Sequence, residues 1–235
     1  MKIKTHLTIL LLLCFFKCIS QSSGKIIYKI STIDFEIKRE EGKNIGAKIL
    51  AQEVLEAASL QTFELSFGLN KSKFQNISTD MGINSELEVL NKLASVRFTC
   101  NFNYFFDKNK SQELFQYNDG TLVEKIYKAK NWNITKETKT IDKYICFKAI
   151  YSFDYLARDK KMKTRIITAW FAPSLPYPYG PKNYNGLPGL ILELQDWNTT
   201  FLATKIQLIK KPIMINFPMG KTISEEEYEK AILKN

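Results

Sequence analysis

Residues 173–189 read Pro-Ser-Leu-Pro-Tyr-Pro-Tyr-Gly-Pro-Lys-Asn-Tyr-Asn-Gly-Leu-Pro-Gly, and these 17 positions hold five of the seven prolines and three of the ten glycines. Proline fixes φ at about −65°, removes an amide donor and pushes the preceding residue toward extended geometry. Neither a helix nor a central strand can therefore run through this stretch. Apolar, strand-like runs flank it, Ala169-Trp170-Phe171 before and Leu190-Ile191-Leu192-Glu193-Leu194 after. The local structure expected is a stiff loop joining two strands. Gly180, Gly186 and Gly189 supply turns or close backbone approach, and Tyr177-Pro178 is a candidate cis bond. Two roles are open. The loop either packs Tyr177, Tyr179, Tyr184 and Leu187 over one end of a sheet, or presents them with Trp170 as a preorganised surface for a ligand or partner.

The remaining pattern predicts the framework that loop serves. Gly24 to Ser31 and Thr62 to Phe67 alternate as strands, and Lys43 to Leu60 and Ser85 to Val96 place apolar residues at helical spacing. From residue 98 onward short strand-like runs follow one another, separated by turns such as Asp107-Lys108-Asn109 and Asn118-Asp119-Gly120. Ser224-Glu225-Glu226-Glu227 has capping-box spacing and opens a helix through Leu233. The fold class expected is α+β: a single domain, residues 21–235, built on a curved antiparallel β-sheet with two or three helices.

The N-terminus shows a basic start, an apolar run from Leu7 to Phe16 and small residues at Cys18 and Ser20, which reads as a signal peptide over residues 1–20. The run is too short to span a bilayer. The segment carries Lys2, Lys4 and Lys17 and no acid, so the formal charge of +10 falls to +7 for residues 21–235. It also carries His6, the single histidine. Removing it excludes Ser-His-Asp, Cys-His and His-ligated zinc mechanisms. Cys100 and Cys146 remain. In an oxidising compartment they form either one disulfide or two buried free thiols.

The positive charge does not point to nucleic acid, because the cations are scattered lysines with only four arginines. Glu193 with Asp196, and Asp154 with Asp159, lack the spacing of a catalytic carboxylate pair and read as solvated or structural acids. No EF-hand, Walker or dinucleotide motif occurs, so no metal site, cofactor or catalytic residue is assigned.

Gly186-Leu187-Pro188-Gly189-Leu190-Ile191 spells the signature of the GLPGLI family, which the chain resembles. The likeness extends through Trp132-x-Ile134, Glu137-x-Lys139, Tyr144-x-Cys146-x-Lys148-Ala149, Ala169-Trp170-Phe171 and Gly180-Pro181, covering about residues 132–195. It implies an exported, envelope-associated protein of the Bacteroidetes type, periplasmic, outer-membrane-associated or extracellular, with no established activity and no catalytic residue to carry over.

The function expected is a non-enzymatic binding module that holds a hydrophobic small molecule on the curved sheet. The alternative is an accessory protein of an outer-membrane transporter or surface assembly, acting through loop 173–189. The first requires an empty apolar cavity on the sheet; the second requires Tyr177, Tyr179 and Tyr184 to be exposed.

Overall fold

A computed structural model describes residues 23–34, 45–78, 85–157 and 160–234. The expected signal segment, residues 1–20, lies outside the described residues, as do Arg158 and Asp159. In chain order the elements are β1 (Ser23–Ile33), α1 (Ile45–Leu60), β2 (Thr62–Gly68), β3 (Lys71–Asn76), α2 (Ser85–Arg97), β4 (Phe102–Asp107), β5 (Gln112–Tyr117), β6 (Leu122–Ile126), β7 (Asn133–Ile141), β8 (Tyr144–Leu156), β9 (Met162–Ala172), β10 (Leu190–Asp196), β11 (Thr199–Ile209), β12 (Thr222–Ser224) and α3 (Glu225–Lys234).

All twelve strands join one open sheet in the order β12-β6-β5-β4-β3-β2-β1-β11-β10-β9-β8-β7. Two meanders, β2 to β6 and β7 to β11, are stitched together by β1, which lies antiparallel to both β2 and β11. The turns follow from local chemistry. Asp107 Oδ1 accepts from the amides of Asn109 and Lys110 at 3.0 and 3.2 Å, and Gly120 takes φ 87° at the β5–β6 turn.

Strand alternation sorts side chains onto two faces. On one face, Ile26, Tyr28, Phe63, Leu65, Phe67, Phe74, Tyr104, Phe106, Phe115 and Phe201 form the main core. Stacked and edge-on ring pairs tie it together, among them Phe63–Phe74 at 5.4 Å and Phe63–Phe201 at 5.2 Å. On the other face, Phe105, Leu114 and Leu122 are covered by Ile213, Ile215 and Phe217 of the segment after β11.

Both edges are protected. β12 adds to β6 in parallel, and α3 lays Tyr228 on Tyr117 at 4.3 Å. The expected capping box forms, with the Glu227 amide donating to Ser224 Oγ at 3.2 Å and the Ser224 amide to Glu227 Oε2 at 2.8 Å. At the opposite edge β7 bulges between Ile134 and Thr138.

The α+β expectation is corrected by this architecture. Strand takes up about half of the described residues and helix about a fifth, the sheet is mixed rather than antiparallel throughout, and the fold is β-rich. Among the described residues α1, α2 and α3 form close to where their periodicity puts them, but they make no layer over the sheet. α1 and α2 bury Val54, Ala58 and Ala94 against each other and Ile33 at the end of β1, leaving Ile45, Ile49 and Val96 exposed. Periodicity states that a helix has an apolar side; it does not state what that side covers.

Candidate functional site

Loop 173–189 is the lid of the main core. Leu175, Tyr179, Tyr184 and Leu187 are 3, 5, 6 and 1% exposed. Tyr177 and Tyr179 lie on Phe67 at 4.6 and 5.4 Å, Tyr179 also meets Phe106, and Tyr184 meets Trp132. Backbone bonds run from the Leu190 amide to Leu175 O at 2.9 Å and from the Ile191 amide to Tyr179 O at 3.0 Å. The buried Tyr28 hydroxyl donates to Ile191 O at 2.6 Å. The Gly186-Leu187-Pro188-Gly189 run has a steric basis. Gly186 sits at φ 97°, and a Cβ on Gly189 would lie 2.3 Å from Ala172 O.

Polar side chains fasten the lid from below. Asn185 donates through Nδ2 to Tyr104 Oη at 2.9 Å, and Tyr104 Oη donates to Glu113 Oε1 at 2.6 Å. Trp132 Nε1 donates to Asn185 O at 3.1 Å, and Lys130 Nζ to Asn183 O at 2.6 Å. Burial raises Glu113 above the ordinary carboxylate value and lowers Lys130 below the ordinary amine value.

The expected binding residues are thus dispersed. Tyr179, Tyr184 and Leu187 are interior, and Tyr177 is half-buried on Phe67. Trp170 is separated from them by strand parity: it is one residue from the core positions Ala169 and Phe171, pairs across to Lys148 and Glu193, and has Lys139 Nζ 4.4 Å from its ring. The exposed positions of the loop, Pro173, Ser174, Pro176, Gly186 and Pro188, include no tyrosine, and the sheet's face is packed rather than hollow where the loop covers it. The Tyr177-Pro178 bond is trans, as is every described peptide bond.

Of the two readings left open for Cys100 and Cys146, the structure has the second: both are buried and free. Their surroundings differ: Lys182 and Asp196 act on Cys100, Lys139 and Glu193 on Cys146. Burial pushes each thiol up to about 11, so neither is a thiolate at neutral pH.

Two arrangements of side chains that the sequence did not assemble reach beyond the lid. First, β8 carries Tyr151, Phe153 and Tyr155 on the core-side face, opposite Ile167, Arg165 and Lys163 of β9. With Trp132 they form an aromatic row, with ring centroids 5.6, 5.6 and 6.5 Å apart. The row is partly exposed along its length. The alternation Tyr-x-Phe-x-Tyr was visible in the sequence but is indistinguishable there from ordinary core positions. Second, Asp196, nearly fully buried at the end of β10, accepts from Arg165 Nε at 2.9 Å and Nη2 at 2.5 Å and pairs with Lys182 of the loop. Burial opposes ionisation of Asp196, but Lys182 and Arg165 outweigh it and hold the carboxyl below its ordinary range.

Comparison with known proteins gives fold and little more. A profile of a family described as a protein of unknown function (Porph_ging) matches residues 154–193, from the end of β8 through β9 and the loop into β10. Two crystal forms of PNGF-II, in space groups C2 and P21, are similar in fold, with TM-scores of 0.53 and 0.52 at 16 and 15% identity. Both alignments cover 91% of this chain and 33% of the other. The chain therefore spans about a third of the length of these solved structures. LprF from Mycobacterium bovis aligns over 85% of this chain and 90% of its own at 12% identity, but a TM-score of 0.23 carries no argument. No curated protein matches the chain.

Proposed function

We propose that the chain is an exported, non-enzymatic binding module of the GLPGLI type, and that its ligand lies on the β8–β9 hairpin rather than in a hollow under the sheet or on loop 173–189. The aromatic row carries this reading. It continues the core-side face past the point where the lid ends, and Tyr151, Phe153 and Tyr155 keep ring area open to solvent although Tyr151 and Phe153 also pack against the core. The reverse face of the same hairpin adds to the case, with Leu156, Met162 and Ile166 each at least 60% exposed. Apolar surface concentrated on one hairpin marks an interaction site more often than scattered single residues do. Rings on a paired strand also lose little freedom when a ligand stacks on them. The ligand class is apolar and ring-bearing or flat enough to lie along a row. The partner surface of a transporter or surface assembly remains the second source of such a group, reached through this hairpin and not through the loop.

The test uses the uncharged dye N-phenyl-1-naphthylamine. Wild-type protein is expected to enhance its fluorescence saturably, and the double variant Phe153→Ala, Tyr155→Ala to lose the enhancement while keeping its unfolding midpoint close to wild type. Enhancement that survives in the double variant places the apolar site elsewhere and overturns the reading.

A further inference from the structure

Next to the aromatic row, a pocket of about 260 Å3 opens between the end of α2 and the β10–β11 turn, lined in part by Arg97, Asn101, Arg165, Lys182, Asp196 and Trp197. We infer that this pocket binds a carboxylate carried on a single ring.

Charge comes first. Among the described residues two cations, Arg165 and Lys182, hold the single carboxylate of Asp196. The buried cluster therefore keeps a surplus positive charge, and Arg97 lines the same pocket. The donors are not used up. A guanidinium has five N–H groups and an ammonium three. Arg165 spends two on Asp196, and Lys182 spends one. A second carboxylate entering the pocket meets donors already oriented by a buried anchor, the arrangement that favours bidentate recognition.

The ring requirement comes from Trp197. It occupies the first position of the two-residue turn between Asp196 and Thr199 at φ 58°, a conformation disfavoured for a bulky side chain. The indole is nevertheless 58% exposed, so its own burial does not offset that conformation. Its one described partner is Arg165, whose guanidinium carbon lies 5.2 Å from the ring centre. Strain of this kind at the mouth of a pocket is a reason to look for function. The exposed indole and the adjoining guanidinium together offer a flat wall with a charged end. A volume below the common range for drug-sized ligands, about 300–1,000 Å3, limits the occupant to one ring.

The experiment follows the three indole N–H signals of the full chain by two-dimensional 15N NMR, assigning Trp197 from the variant Trp197→Gly. Benzoate and glucuronate are titrated separately, each against its uncharged counterpart, benzyl alcohol and glucose. At least one carboxylate is expected to shift the Trp197 signal saturably while its uncharged counterpart does not; which one does so distinguishes an aromatic acid from an acidic sugar. Arg97→Gln should weaken that binding about fivefold, as for an ion pair lost at an exposed site. Trp197→Gly should abolish it, read from the shifts of the remaining signals, while raising thermal stability by relieving the turn. No saturable shift with either acid overturns the inference, as does equal binding by the uncharged counterparts or undiminished binding in Arg97→Gln. The Phe153→Ala, Tyr155→Ala variant should bind the acid normally, so this result stands or falls apart from the hairpin reading.

Discussion

The centre of the sheet and its β8–β9 end share one face and one pattern, yet they end in opposite states. Over β1 to β4 the alternating aromatics Tyr28, Phe63, Phe67, Phe74, Tyr104 and Phe106 are closed from solvent, and loop 173–189 lies on Phe67, Tyr104 and Phe106 among them. Along β8 the same alternation continues through Tyr151, Phe153 and Tyr155, which stay partly exposed although Trp132 meets Tyr151. The difference is not in the strands. It lies in where a proline-stiffened segment of fixed length comes down, and Asn185, Lys182 and Gly189 set that position through Tyr104, Asp196 and Ala172. An aromatic on a strand becomes core or surface according to a contact made by residues distant in sequence.

The largest effect should come from breaking the covered region. Phe67 is fully buried and carries two tyrosines of the lid, so Phe67→Ala should cost about 4 kcal/mol, the usual loss for a large ring removed from a core. Urea unfolding measures it. Phe153→Ala on the uncovered end should cost under about 1 kcal/mol, since a partly exposed side chain leaves no closed cavity. Equal losses at the two positions would mean that the β8 row is also structural, and the comparison would fail.

How much of this was legible beforehand follows from the same distinction. The strands, the helix over Ile45–Leu60 and the Ser224–Glu227 cap are local in origin, and periodicity and capping chemistry find them. That loop 173–189 would be stiff was also readable, because proline acts on its own backbone. What it would cover was not. Tyr179 and Tyr184 on a rigid loop look alike whether they face Phe67 or water, and only the sheet order decides. Trp170 was grouped with them by nearness in sequence, although strand parity sends it to the other face. The α+β assignment failed because amphipathic periodicity is silent on whether two helices cover a sheet or only one strand end. Asp196 was read as a solvated or structural acid, and its partners Arg165 and Lys182 are 31 and 14 residues away, so no spacing rule links them. Trp197 drew no notice because its significance is a backbone angle.

The Asp196 cluster joins the two regions, since Lys182 belongs to the lid and Arg165 to β9. Asp196→Asn should strand two cations and cost about 2 kcal/mol at neutral pH. That is below the roughly 3–5 kcal/mol typical of a fully buried pair, because Arg165 and Lys182 keep 28 and 13% side-chain exposure. The sign of the pH effect is fixed by the depressed carboxyl. Stability from Asp196 is present above the unfolded-chain value and is lost as pH falls through the lower folded value. Wild type should therefore lose stability in acid faster than Asp196→Asn, converging on it at the lowest pH. Acid titrations of the unfolding midpoint that run parallel would show that the cluster does not hold the lid to β9.

Glu113 offers the smallest and most selective test, because it acts on the covered region alone. Its carboxylate accepts from Tyr104 beneath Asn185, and Lys130, Lys125 and Glu225 are the charged groups that act on it. Burial raises its folded value above the ordinary 4.5, so the folded chain keeps this proton to higher pH than the unfolded chain does. Stability contributed by the protonated group is fully present below the unfolded value and is lost as pH rises through the folded one. Residues 21–235 contain no histidine, which leaves few other groups to titrate between about pH 5 and about pH 8. Wild type should therefore decline over that interval, and Glu113→Gln, whose amide oxygen can still accept from Tyr104, should remain flat. The lid's attachment to Tyr104 is then measured as a difference in slope between two urea-midpoint profiles. If the two profiles keep the same slope, Glu113 is solvated in the folded chain, and the covered region is less closed at Tyr104 than the packing around Phe67 implies.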